Sequence, residues 1–192
     1  MKAKIVIIDA FWQLYKEKSI KQITVTELMN KAGYHRSVFY QYFRDIHDLL
    51  KQEQDAFFAE VDNLWQDVAK EILNEDYSTL LIQKINELSL KYDFKVNILS
   101  KHNDETDFKN RFNNTLRRNL YNLLNLQEND TKVKLALEVY ISGQLESLVY
   151  FHKHKHKNKL DFKDYLEVTK SIFQTCVKQI EQSHTENNKK NN

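Results

Sequence analysis

Between Thr24 and Tyr42 the chain gathers side chains that donate hydrogen bonds: Thr24, Thr26, His35, Arg36, Ser37, Tyr40 and Tyr42. Such a set suits an acceptor-rich partner, and phosphate oxygens and base edges are that kind of surface. The elements that must position these groups are legible in residues 24–43. Thr24 followed by Glu27 is a capping box: the hydroxyl can accept from the Glu27 N–H while the carboxylate reaches back. Leu28, Met29 and Ala32 then form one apolar stripe, and Gly33 stops the helix because glycine takes a left-handed backbone angle without penalty. A second short helix follows, with Val38, Phe39 and Phe43 available for packing and His35, Arg36, Ser37, Tyr40, Gln41 and Tyr42 left to face outward. Two helices joined by a glycine turn form a helix-turn-helix, which sets its second helix in the major groove of DNA.

These residues carry a family likeness. Thr24-Val25, Leu28, Lys31-Ala32-Gly33, Phe39-Tyr40, Phe43 and Leu49-Leu50, with Ile8, Ala10, Leu14 and Tyr15 upstream, make residues 4 to 50 resemble the DNA-binding head of the TetR family of bacterial regulators. The resemblance implies that Thr24 meets the DNA backbone at a helix N-terminus, where a hydroxyl and free N–H groups suit an anionic oxygen. It implies that Tyr40 contacts phosphate, with Tyr42 a second candidate. Base reading falls to the start of the second helix: a guanidinium at Arg36 can bridge guanine O6 and N7. Ser37, His35 and, from the preceding helix, Thr26 are further readers. Each has a plainer alternative, Arg36 as a phosphate anchor and His35 as a helix cap. Three positions depart from the family pattern: Ser19 replaces a common glycine, His35 a small capping residue, and Ile46 the usual phosphate-contacting lysine. Arg44 or His47 is then the substitute anchor, and a protonated His47 would make binding depend on pH.

Composition fits this reading. The 192 residues contain no proline and two glycines, too few for the turns of an all-β architecture. Charged residues at 29% and hydrophobic ones at 41% describe an ordinary folded chain. Residues 1–50 hold eight Lys/Arg against five Asp/Glu, while the rest of the chain is close to neutral, so the basic excess lies in the head. The single cysteine, Cys176, excludes an intramolecular disulfide framework, fits a reducing bacterial cytoplasm and reads as a packed residue. The run Ile5-Val6-Ile7-Ile8 is too short for a signal sequence or membrane span.

The expected fold class is all-α: a three-helix head (1–46), a helical effector-binding and dimerisation body (47–185) and a disordered tail (186–192), with about nine helices in total. Asp45 caps a long fourth helix reaching about residue 74 with apolar positions through Ile72. The body continues with helices near 78–92, 95–100, 107–124, 130–151 and 161–183. The resemblance implies a homodimer whose last two helices pack on their copies, and this falls on Leu137, Ile141, Leu145, Leu148, Leu166, Phe173, Val177 and Ile180; the alternative for this stripe is the core of one protomer. Gly143 either permits close helix approach or is a tolerated weak point. The resemblance also implies a small-molecule effector among the body helices, with Trp65, Tyr92, Phe94, Phe108, Phe112 and Tyr140 as candidate lining, or else as core.

The run His152-Lys153-His154-Lys155-His156 invites a metal reading, but its lysines repel a cation, and a solvated loop between helices is the expectation. No cofactor and no metal site is expected. Neither a glycine-rich phosphate loop, nor HExxH, nor paired cysteines occur, and no local pattern assembles Ser, His and Asp into a triad, so no catalytic residue is assigned. The reading is a regulator, most simply a repressor, that binds a palindromic double-stranded DNA operator. The alternative is a helical interaction protein of the same fold that binds neither DNA nor ligand.

Overall fold

Among the described residues every regular element is helical, as a chain without proline and rich in Leu, Lys, Glu and Gln requires. The computed structural model describes residues 2–71, 79–102, 107–126, 131–158 and 160–190; side chains at 70, 71, 79, 155–158, 177 and 179–190 lie outside that description, as does Ile72 altogether. The order is α1 (Lys2–Glu17), a 3-10 turn (Ile20–Gln22), α2 (Val25–Ala32), α3 (Arg36–Phe39), α4 (Ile46–Glu71), α5 (Thr79–Lys101), α6 (Phe108–Leu123), α7 (Thr131–Asn158) and α8 (Phe162–Lys190). Among the described residues there are eight α-helices, in keeping with an all-α fold of about nine. The separate helix at 95–100 does not exist: α5 runs through it, because no glycine or proline interrupts residues 79–101. The His–Lys run is likewise helix rather than loop, since α7 continues to Asn158, and α8 runs on past Ser183 to Lys190.

The chain divides into two compact units, Met1–Glu60 with Phe94–Phe108, and Val61–Asp93 with Lys109–Asn192. In the first, α1 supplies Ile7, Phe11 and Tyr15, all with no exposed surface. Phe11 stacks on Tyr15 at 5.4 Å, Tyr15 stacks on His102 at 4.6 Å, and Phe57 and Phe58 enclose Phe108. Glu53 ties three elements together: its Oε2 accepts from Trp12 Nε1 at 3.0 Å and from Lys95 Nζ at 2.6 Å, and that ammonium also sits over the Trp12 ring. The second unit is built around Val68, Leu81, Leu120, Leu137, Ile141 and Phe173, which pack in one cluster. Cys176 belongs to the same cluster, and burial pushes its thiol pKa up, in keeping with a packed, unreactive residue. At its edge Arg117 grips Glu138 through Nε and Nη2 at 2.5 and 2.6 Å, and the Tyr121 hydroxyl donates to the same carboxylate.

α3 has only four residues, far too few to be helical unaided. Phe39, with no exposed surface, and Phe43, tilted against it at 5.4 Å, pin it to the first unit. Replacing Phe39 by Ala should therefore cost about 3–5 kcal/mol of folding stability, read as a lower urea midpoint; a midpoint close to wild type would show that α3 is held by something else.

Candidate nucleic-acid interface

The turn between α2 and α3 follows from three local devices. Thr24 caps α2 with its Oγ1 accepting from Glu27 N at 3.2 Å. The reciprocal half of the expected capping box is missing, because the Glu27 carboxylate is taken by Lys18 Nζ at 2.5 Å. Gly33 then adopts φ +72°, its N–H donates to the Asn30 carbonyl and the Tyr34 N–H to that of Met29, closing the helix in the left-handed manner. Ser19, where the family pattern has glycine, earns its place as the cap of the 3-10 turn: its Oγ accepts from Lys21 N while Gln22 Oε1 accepts from Ser19 N.

These devices put the donor set on the surface. Thr24, Thr26, His35, Arg36, Ser37 and Tyr40 are all exposed. The Thr24 oxygen is used as an acceptor, which leaves its O–H proton to donate outward. His35 occupies the α3 N-cap position, yet its side chain makes no capping bond, so its ring is not consumed as a cap. Arg36 and Ser37 are the first two residues of α3. Tyr40 follows its last turn, 54% exposed and edge-on to Phe39. Tyr42 is half-buried, and its ring leans on Phe43.

Charge on this face is one-sided. Residues 20–44 contain Lys21, Lys31, Arg36 and Arg44 against Glu27 alone, and Glu27 is already matched by Lys18. Lys21, Lys31 and Arg36 make no ion pair among the described residues. Lys21 and Lys31 were not assigned a site role from the sequence; their exposure beside the turn adds them to the candidate surface.

The start of α4 is different. Ile46 is buried, 7% exposed, and belongs to the core. Asp45 Oδ1 caps α4 by accepting from Asp48 N at 2.8 Å. Asp48 in turn accepts from Arg44 N at 2.9 Å, Arg44 Nη2 at 3.3 Å and Gln52 Nε2 at 3.2 Å. Two carboxylates, Asp45 and Asp48, therefore stand at the N-terminus of this helix. Arg44 is 83% exposed, and an exposed pair holds it only weakly. His47 is exposed beside it.

The body residues assigned from the sequence fall as follows. Phe108 is fully enclosed, and Phe94 is 46% exposed under the Lys16 ammonium; both belong to the first unit. Trp65 packs against the core cluster of the second unit, Tyr92 is buried and Phe112 half-buried. A groove of about 440 Å³ runs between α7 and α8, and of the six only Tyr140 lines it.

The expected dimer stripe needs correcting. Leu137, Ile141, Leu145 and Phe173 have essentially no exposed surface, Leu166 is buried and Leu148 half-buried. They form the protomer's own core. The side chains of Val177 and Ile180 lie outside the described residues. A second apolar face of α7 and α8 is the open one: Leu135, Val139, Tyr150, Val168 and Ile172 are 67, 71, 57, 60 and 49% exposed. Among the described residues no helix is long and apolar enough to cross a membrane, and no group of three or more His, Cys, Asp or Glu is placed to hold a metal.

No family model matches the chain, and no curated protein does. Among solved structures it is similar to one described as dihydroxyacetone kinase operon activator DhaS, at 18% identity and a TM-score of 0.47, covering 93% of this chain and 96% of that one. A likeness that distant bears no functional weight.

The Arg44 backbone N–H is the main reason the Asp48 carboxyl is held below its ordinary value of 3.8, with the guanidinium and the Gln52 amide adding to it. A depressed carboxyl stabilises the fold above its unfolded pKa and loses that contribution as pH falls through the folded one. In a carboxyl NMR titration Asp48 should titrate early in wild type. Because the backbone amide survives the substitution, Arg44→Ala should keep most of the depression; a return to the ordinary value in that variant would assign the effect to the side chain.

Proposed function

We propose that this chain is a DNA-binding transcriptional regulator resembling the TetR family, acting in the bacterial cytoplasm as a homodimer on a palindromic double-stranded operator. The observation that supports this most is the exposed donor set on α2 and α3, flanked by unpaired Lys21 and Lys31 with no free acid among residues 20–44. Affinity comes from phosphates met by Thr24, Tyr40, Lys21 and Lys31, and each neutralised phosphate releases counterions. Arg36 reads a base, with Ser37, His35 and Thr26 beside it. Tyr42, Arg44 and His47 complete the surface, Arg44 by leaving Asp48 for a phosphate.

The homodimer rests on the open apolar face of α7 and α8, centred on Val139, Val168 and Ile172, rather than on the Leu137 stripe. Gly143 lies on this face, and a Cβ built on it meets nothing within 4 Å, so a second helix has room to approach there. Two-fold symmetry then offers two α3 helices to successive major grooves. Repression relieved by a small-molecule effector belongs to this reading through the family resemblance. The effector must bind the non-DNA-binding state more tightly, typically by about 1–3 kcal/mol.

Footprinting of the upstream region of its own gene tests the DNA role. Protection should weaken steeply with salt. Arg36→Ala should cost about 1–3 kcal/mol and relax one operator position, while Lys31→Ala should weaken all sequences alike and flatten the salt dependence. No protection even at low salt would favour the helical interaction protein instead. For the dimer, Val139→Asp or Ile172→Asp should give a folded monomer by analytical ultracentrifugation, whereas Leu137→Asp should unfold the protein; a dimer that survives both outer substitutions would move the interface elsewhere.

A further inference from the structure

Ser89 and Asp93 lie one turn apart on the same face of α5, and both meet the imidazole of His152 on α7. Ser89 Oγ is 2.6 Å from Nε2, and Asp93 Oδ1 is 3.4 Å from Nδ1. The His152 side chain is 3% exposed and that of Asp93 33%. All three residues belong to the second unit. The order Ser–His–Asp is that of a hydrolase triad, but the chemistry does not follow. All three residues stand within helices, where backbone N–H groups are bonded to carbonyls four residues back. The backbone around Ser89 therefore offers no donor pair for an oxyanion.

What the cluster can do is respond to protons. The serine hydroxyl is both donor and acceptor, so it serves either state of Nε2. The carboxylate serves only a ring that carries a proton on Nδ1, and serves the imidazolium best. From α8, the Tyr165 ring is tilted against the adjacent Phe151, its hydroxyl lies 3.2 Å from Ser147 Oγ, and burial raises its pKa. On α7 itself, the His154 ring is bonded to the Tyr150 carbonyl at 2.8 Å, and Lys153 is exposed.

We propose that His152 is a proton-operated clamp between α5 and α7. When the ring gains a proton, Nε2 turns from acceptor to donor toward Ser89 and the imidazolium pairs with Asp93, drawing the two helices together. The clamp requires the carboxylate beside Nδ1 to outweigh the cost of burying the charge, so that the ring is easier to protonate folded than unfolded. Its contribution is full below the unfolded imidazole's titration and is lost as pH rises through the folded one. The device is independent of what α2 and α3 bind.

Thermal unfolding of the full chain from about pH 8 to pH 5.5 tests it, over the range where imidazoles titrate. The melting temperature of wild type minus that of His152→Gln should widen by several degrees toward acid. Asp93→Asn keeps the Ser89 bond and removes the charge, so its difference from wild type should widen in the same direction. A gap that stays flat or narrows toward acid overturns the clamp. Should His152→Gln not fold, the ring nitrogens of wild-type His152 report directly by NMR: a shift from neutral to imidazolium values across this range in wild type, moved to lower pH in Asp93→Asn, supports the clamp. A ring that stays neutral throughout refutes it.

Discussion

Everything on the candidate DNA face depends on a four-residue helix being held where it cannot hold itself. α3 is a single turn, below the length at which helix formation is self-sustaining. Its geometry is imposed from two sides: Gly33 sets the direction of entry through its left-handed angle, and the buried ring of Phe39 fixes rotation about the axis. With Phe39 inward, Arg36 and Ser37 have no choice but to face solvent. The exposed chemistry is thus a by-product of one aromatic side chain and one backbone angle. That also explains why a short element can present side chains with defined directions: the core supplies the rigidity that propensity does not.

The same local devices explain what was legible in the sequence. Thr24, Gly33 and Asp45 act within three or four residues of themselves, and their chemistry is the same in any fold, so a cap or a stop can be read directly. The all-α class was legible for a comparable reason, since two glycines and no proline leave little else. What was not legible depends on distant partners. Glu27 suits a reciprocal cap, but a lysine nine residues upstream takes its carboxylate. His152 sits in a run that looks solvated because its neighbours are lysines, yet its own ring turns inward onto α5. The Phe94–Phe108 segment joins the first unit, although nothing in its composition separates it from the body sequence around it. α5 reads as two helices only if a break is assumed around Tyr92–Phe94, where no residue type forces one.

Charge around the candidate face is distributed by the same logic of prior commitment. A carboxylate that already holds a backbone N–H is a fixed feature of the fold, as Asp48 is through Arg44. It cannot be displaced by a phosphate without losing that bond. The cations on α2 and α3 have no such commitments, so they are free to trade water for phosphate at little cost. Position 46 offers no cation to such a surface, because Ile46 is a buried core residue. At the first turn of α4 the Asp48 N–H is taken by the Asp45 carboxylate, and the Asp48 carboxylate is taken by Arg44.

The two apolar faces of α7 show why a stripe alone does not say what covers it. Leu137, Ile141 and Leu145 recur every fourth residue, and so do Leu135, Val139 and Gly143. The sets are offset by two positions, about 200° around the helix. Periodicity gives both, and the larger, more regular stripe invites the more specific role. Packing reverses that assignment, because a folded protomer buries its most continuous stripe first, leaving the second face for whatever remains. Singly exposed apolar residues are ordinary. Here Val139, Tyr150, Val168 and Ile172 line one groove together with Gly143, from two helices, with more than 48% of each of the four side-chain-bearing residues open. A concentration of that kind is the mark of a surface made to be covered. Among the described residues the protomer covers one apolar face of α7 and leaves the other open.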